Sequence, residues 1–274
     1  MSFGRAVLNI NGIYMNENLV SDLQVSIVQT HIFPKNPQKN IHYLDTLLSA
    51  DLRTDLILLP EVFTTGFCEG ARDAAEVPNG YAYQWMLTKA KALNAVVAGT
   101  LVVKEEAHYF NRLVWAQPNG KIIEYNKRHL FRMAGEHLRY NPGDKRLVVT
   151  LKGWKILPLI CYDLRFPVWS RNRNDYDLAL YLANWPHQRA LHWNRLLQAR
   201  AIENLAYVIG VNRVGDDEAG QVYHGDSSVY SPKGDCDFIS QIAGVFTQTL
   251  SYELLMDYRK KFPAHMDADD FVIQ

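Results

Sequence analysis

An α/β sandwich of two mixed sheets, with helices on both outer sides, is the fold class that this sequence predicts. Three observations carry it. Strand-like and helix-like segments alternate early in the chain and again after residue 161. Hairpins lie between those two stretches. No low-complexity linker interrupts the order. Two sheets packed face to face within one domain accommodate that arrangement. The buried runs 56–59 and 156–160 each end at a titratable residue and read as counterparts in a weak internal duplication.

Taken in order, residues 23–28 read as a first strand. Ile41, Leu44, Leu47 and Leu48 have helical spacing over 36–50. Residues 55–61 form a buried strand that ends in an acid. A Thr/Gly-rich loop over 64–70 leads to a helix over 80–93 and a strand over 95–103. Pro118-Asn119-Gly120 separates the runs 113–115 and 121–123, a hairpin signal. Residues 127–146 are irregular and rich in His and Arg. Residues 147–151 and 154–160 make a second hairpin around Lys152-Gly153, and its outgoing strand carries Cys161. Pro167 suits the first turn of a following helix. Strands follow at 177–182, 207–211 and 227–230, with a helix over 189–205 and a turn at 231–234. A last strand over 238–249, a short helix over 251–260 and an Asp-rich tail complete the chain. The expected domain runs over 22–262, with a leader of 1–21 in which Met15 offers a second start, and a tail of 263–274.

Bulk properties exclude several functions. The 274 residues are 48% hydrophobic and 21% charged, an ordinary globular composition. A formal net charge of zero and a pI near 7.1 provide no basic field for nucleic acid or an acidic membrane. There is no long apolar span. Cys68, Cys161 and Cys236 are odd in number and widely spaced, without a CxxC pair, which predicts a reducing, cytoplasmic setting and no zinc site. His187 and His192 lack helical metal-pair spacing. No role follows for Cys68, and Asp226 with Ser227-Ser228 reads as structural.

The chemistry gathers at strand ends: Glu61, Lys127 and Cys161. A cysteine nucleophile needs its proton removed and a place for the oxyanion it creates. A carboxylate at the rim of an apolar sheet is a credible base near neutral pH, because desolvation favours its protonated form. A lysine beside the thiol would favour the thiolate and would stabilise a tetrahedral oxyanion. The backbone N–H of Tyr162 is a second donor for that oxyanion. Each residue also has a bland reading: a packed core cysteine, a surface acid after a strand, a solvated lysine. His129 and His137 invite a Cys–His peptidase reading, but no orienting Asn or Asp stands out. Spacing alone leaves open whether these groups meet.

Glu61 in Leu-Pro-Glu, Lys127 in Lys-Arg-His-Leu-Phe and Cys161 in Ile-Cys-Tyr-Asp-Leu-Arg-Phe-Pro resemble, in order, the three catalytic signatures of the nitrilase superfamily of carbon–nitrogen hydrolases. The resemblance covers residues 22–260. Residues 60–67, 131–137, 184–186 and 199–204 are closer to its ω-amidase branch. This resemblance implies a four-layer αββα sandwich, a homodimer or higher homo-oligomer, and hydrolysis of the terminal amide of 2-oxo dicarboxylic acid monoamides through a Cys161 thioester. Another small amide of the same superfamily is the alternative substrate. Glu61 would act as base, Lys127 and the Tyr162 N–H as oxyanion donors, and Glu136, six residues before Pro142-Gly143-Asp144, as a fourth polar member. No metal or organic cofactor is implied. Arg165 is the first choice for the substrate's far carboxylate, with a structural ion pair as the competing role. Phe63, Phe131 and Trp185 are candidate pocket walls, with ordinary core packing as the alternative.

Overall fold

The computed structural model describes residues 20–273. Most of the expected leader, Met15 included, therefore lies outside the described residues. The described residues form fourteen strands: β1 Leu23–Gln29, β2 Leu56–Leu58, β3 Val96–Glu105, β4 His108–Ala116, β5 Ile122–Asn126, β6 Val149–Leu151, β7 Trp154–Ile160, β8 Leu178–Leu182, β9 Tyr207–Val211, β10 Val214–Asp216, β11 Val222–His224, β12 Ser227–Tyr230, β13 Cys236–Ser240 and β14 Gly244–Leu250. The helices are α1 Pro37–Leu47, α2 Tyr81–Leu93, α3 Pro167–Ser170, α4 Ala190–Asn204 and α5 Tyr252–Lys261.

Two six-stranded mixed sheets result, in the orders β14-β1-β2-β3-β4-β5 and β13-β12-β9-β8-β7-β6. Period-two alternation assigns each strand's two faces to different layers. Leu56, Leu58, Val96 and Ala98 share the core between the sheets with Ile156, Ile160 and Leu180. Ile57, Val97 and Leu101 turn outward onto Ile41, Leu44, Met86 and Ala90 of α1 and α2. On the opposite side, α4 covers β9 and β12 with Trp193, Leu197 and Ala201. Gly210 allows that approach, since a Cβ there would run into Leu197 and Trp193. This is the αββα sandwich. Its helix starts follow local chemistry: Asn36 caps α1 by accepting from the Lys39 N–H at 3.0 Å, just before Pro37.

The internal duplication is real but shifted from the expected pairing. β1, β2 and β3 are mutually parallel, with β14 antiparallel on one edge and β4 and β5 antiparallel on the other. β7, β8 and β9 repeat this, with β6 on one edge and β12 and β13 on the other. The counterpart of β2 is thus β8, and that of β7 is β1. Glu61 and Asn184 occupy equivalent places after the middle strand, whereas Cys161 follows the first.

Three boundaries differ from expectation. β4 begins at His108 rather than 113, because polar Asn111 and Arg112 break the apolar pattern although both are buried. The run 238–249 is two strands in different sheets, β13 on β12 and β14 on β1. The small ribbon β10–β11 is an addition. At the C-terminus, Ile273 packs against the core and Phe271 lies 4.4 Å beneath the Arg173 guanidinium. No helix of the described residues is long and apolar enough to cross a membrane.

Candidate active site

Three strand ends and one irregular connection converge on a cavity of about 420 Å³, whose lining includes Glu61, Lys127, Phe131, Cys161, Asn184 and Arg189. Parallel strands deliver their C-terminal ends to one edge of a sheet, where chain crossovers leave room for a ligand. Cys161 follows β7 directly and takes φ +41°. Val62, after Glu61, also takes φ +41°, an outlier for a β-branched residue. Both turns tip the preceding strand end out of its sheet, and backbone strain of this kind collects at functional sites.

The turn at Cys161 is pinned by Asp163, which is fully buried. Its carboxylate accepts from the Ile160 N–H at 3.1 Å, the Tyr125 hydroxyl at 2.8 Å and the His129 N–H at 3.0 Å, and contacts His129 Nδ1 at 2.8 Å. The residue that partners His129 is therefore Asp163, and the imidazole stacks on Phe166 at 3.8 Å. His129 and His137 line a separate surface hollow with Tyr162 and Phe166, away from the lining that holds Cys161.

Glu61, Lys127 and Glu136 form a buried cluster, each 1% exposed or less. Lys127 Nζ donates to Glu61 Oε1 at 2.8 Å and to both Glu136 oxygens at 3.0 Å. Glu61 Oε1 also accepts from Asn111 Nδ2 at 2.8 Å, and its Oε2 accepts from the Asn184 N–H at 2.8 Å. Asn184 Nδ2 in turn donates to the Glu61 carbonyl at 2.6 Å. Asn111 spans both acids, reaching Glu136 Oε1 at 3.3 Å, and is itself oriented by the Thr100 hydroxyl at 2.9 Å. Asn184 Oδ1 is buried without a partner, but the remaining bonds of the network hold its members in one geometry.

Electrostatics follow from one cation facing two acids. Burial would depress Lys127, but Glu136 and Glu61 hold it well above its usual value, so it stays an ammonium. Burial raises Glu136; Lys127 pulls the other way, and the charge of Glu61 adds to the rise. Burial and the adjacent Glu61 carboxylate push the Cys161 thiol well up, against the opposing effect of Lys127. Lys127 does favour the thiolate, as expected, but burial and Glu61 outweigh it and hold the thiol in its neutral form.

The other predicted positions divide. Phe131 lines the cavity. Tyr162 sits against Phe131, with ring centroids 5.0 Å apart. Trp185 packs on Trp193 at 5.4 Å and, with Arg165, lines only a small side pocket beyond the nucleophile. Arg165 donates to His192 Nδ1 at 3.1 Å and lies 4.9 Å over Trp185. Phe63 is not a pocket wall. The φ reversal at Val62 turns it to the outer face of the sheet, where it packs on Trp85 with ring centroids 5.9 Å apart. Sequence reasoning missed Asn111 and Asn184 as members of the cluster. Asn111 had no strand signal around it, and Asn184 was legible only as part of Asn-Trp-Pro.

A cysteine beside a buried Glu–Lys–Glu cluster is the arrangement whose signatures the sequence displays, and residues 24–254 match the family model for carbon-nitrogen hydrolases. The chain belongs to the carbon–nitrogen hydrolase family. Among relatives of this hydrolase, the Escherichia coli omega-amidase YafV is 47% identical over 91% of this chain and 98% of its own length. The 2-oxoglutaramate amidase of Bacillus subtilis is 33% identical over 77% of this chain and 83% of its own. A CN-hydrolase superfamily protein of Xanthomonas campestris, solved with an arsenic adduct in its active site, is 44% identical with a TM-score of 0.89, covering 92% of this chain and 99% of that one. Saccharomyces cerevisiae Nit3, of the nitrilase superfamily, shares the fold at 22% identity with a TM-score of 0.79, over 89% of this chain and 95% of that one.

Proposed function

We propose that this hydrolase is an ω-amidase, releasing ammonia from the terminal amide of 2-oxo dicarboxylic acid monoamides such as 2-oxoglutaramate and 2-oxosuccinamate. The observation that carries the reading is the buried Glu61–Lys127–Glu136 cluster beside a neutral Cys161 thiol on one cavity wall. The names of the similar amidases support the substrate class.

In this mechanism Cys161 Sγ attacks the amide carbon while Glu61 takes the thiol proton. No free thiolate is needed, which suits a thiol whose ionisation is suppressed. The carbonyl oxygen becomes an oxyanion held by Lys127 and the Tyr162 N–H. Glu136 receives Lys127 through both of its oxygens, so giving up one contact frees an ammonium proton for the oxyanion. Glu61 then passes its proton to the leaving nitrogen. The C–N bond breaks, ammonia departs and a thioester remains. Water, losing a proton to Glu61, attacks the thioester, and the returning proton restores the thiol as the acid leaves.

The same reading includes a catalytic domain over 22–262, between leader 1–21 and tail 263–274, working in the cytoplasm as a homodimer. Free cysteines support the compartment. Val168, Leu191 and Ile202, exposed on or beside α3 and α4 at 58%, 68% and 49%, support a covered helical face. Cys161→Ala is expected to abolish ammonia release from 2-oxoglutaramate without changing Tm, while hydroxylamine added to the wild type intercepts the thioester as a hydroxamate. Full activity in Cys161→Ala, or no hydroxamate during turnover, would remove the mechanism.

A further inference from the structure

We propose that Arg189, and not Arg165, is the specificity-determining residue that binds the far carboxylate of the substrate. The inference rests on the ω-amidase reading above and names the contact that reading lacks.

Three cationic side chains line the main cavity: Lys127, Arg139 and Arg189. Lys127 is committed to Glu61 and Glu136. Arg139 donates from Nη2 to the Ala134 carbonyl at 3.0 Å. Arg189 differs from both. Among the described residues its guanidinium has no hydrogen-bond acceptor and no carboxylate partner. Its guanidinium carbon lies 5.4 Å from the centre of the Phe131 ring. Stacking on an aromatic face leaves the N–H edges of a guanidinium free, and those edges match a carboxylate bidentately.

Placement supports the same role. Arg189 borders both the main cavity and the small side pocket, and Cys161, Asn184 and Phe131 border both as well. One residue thus faces the space on either side of the nucleophile. Its backbone is fixed: the Arg189 N–H donates to the Pro186 carbonyl at 3.0 Å, and its own carbonyl accepts from Trp185 Nε1 at 2.8 Å. Arg165 borders only the side pocket, where its contacts with His192 and Trp185 brace the indole.

The surrounding charge suits such a cation. Glu61, Glu69, Asp217 and Glu218 line the cavity with Lys127 and Arg139, and Glu136 stands behind Lys127. Lys35 neutralises Glu218 at 2.9 Å, which leaves an acidic approach for an anionic substrate. An unpaired guanidinium beside the nucleophile offsets that field and fixes which end of the molecule meets Cys161.

The test compares 2-oxoglutaramate with the corresponding neutral diamide, for the wild type, Arg189→Met, Arg189→Lys and Arg165→Met, with Tm measured for each. Arg189→Met is expected to lose about 10- to 100-fold in kcat/KM on 2-oxoglutaramate, mainly through KM, and less than about 3-fold on the diamide. Arg189→Lys should recover part of the loss. Equal losses on both substrates, or a carboxylate-specific loss in Arg165→Met instead, would overturn the assignment. If the wild type prefers the carboxylate and Arg189→Met keeps that preference, this inference alone fails. If the wild type hydrolyses only neutral amides, the ω-amidase reading fails and takes the inference with it.

Discussion

Burial and Glu61 together set the state of the Cys161 thiol. Burial raises it most, the Glu61 charge raises it further, and Lys127 lowers it. Glu61→Gln therefore removes the general base and one of the groups that suppress thiol ionisation. The expected result is a divergence of two readouts. Amidase activity falls by about 100- to 10,000-fold, the range of a lost general base, while the rate of Cys161 alkylation by iodoacetamide near neutral pH rises. A parallel fall in both rates would mean that Glu61 only holds the site together. At this scale Cys161, Glu61 and Lys127, which line one cavity, were legible because each stands in a distinctive local string. Asn111 was not. A lone Asn in a strand has no pattern, and its contacts lie 50 residues away at Glu61 and 25 residues away at Glu136.

The turn after β7 and the connection after β5 act as one element because Asp163 joins them. The carboxylate ties Ile160, Tyr125 and His129 together, so Cys161 and Lys127 are held by the same knot. Asp163→Ala is expected to cost about 1–3 kcal/mol in urea unfolding, since buried donors lose their acceptor. Activity should fall beyond what the lost stability explains. An unchanged unfolding midpoint would show that water replaces the carboxylate. Periodicity located most strands and helices, including α1, α2, α4, β7 and β8. It could not separate β13 from β14, because a run of residues with strand character does not record which sheet each half joins.

Across the whole molecule, many protons are held by the folded state. Burial holds that of Cys161, while Glu136 and Glu61 hold that of Lys127 against burial. The hydroxyls of Tyr125 and Tyr176 are pushed well above the usual phenol range, and those of Tyr207 and Tyr230 up to about 12, with burial as the main cause. In the unfolded chain these groups lose protons near their ordinary values, about 8.5 to 10.4. The folded state keeps those protons to higher pH, so the unfolded state binds fewer of them as pH rises, and stability falls. The contribution is fully present below about pH 8.5 and is lost as pH climbs through the raised values. Tm is expected to fall progressively above about pH 9. A flat Tm up to pH 11 would contradict this distribution of buried groups.

The sequence by itself determined the layered α/β class and singled out the residues proposed to carry the chemistry. Hydrophobic periodicity is local, and so are the short strings around Glu61, Lys127 and Cys161. Tertiary structure alone decided what those groups do to one another. It neutralised Lys127 with two acids, kept the thiol protonated, turned Phe63 away at Val62, and left Arg189 rather than Arg165 unpaired on the cavity wall. Charge balance, desolvation and the direction in which a side chain points depend on neighbours brought together from distant parts of the chain, and no local pattern encodes them.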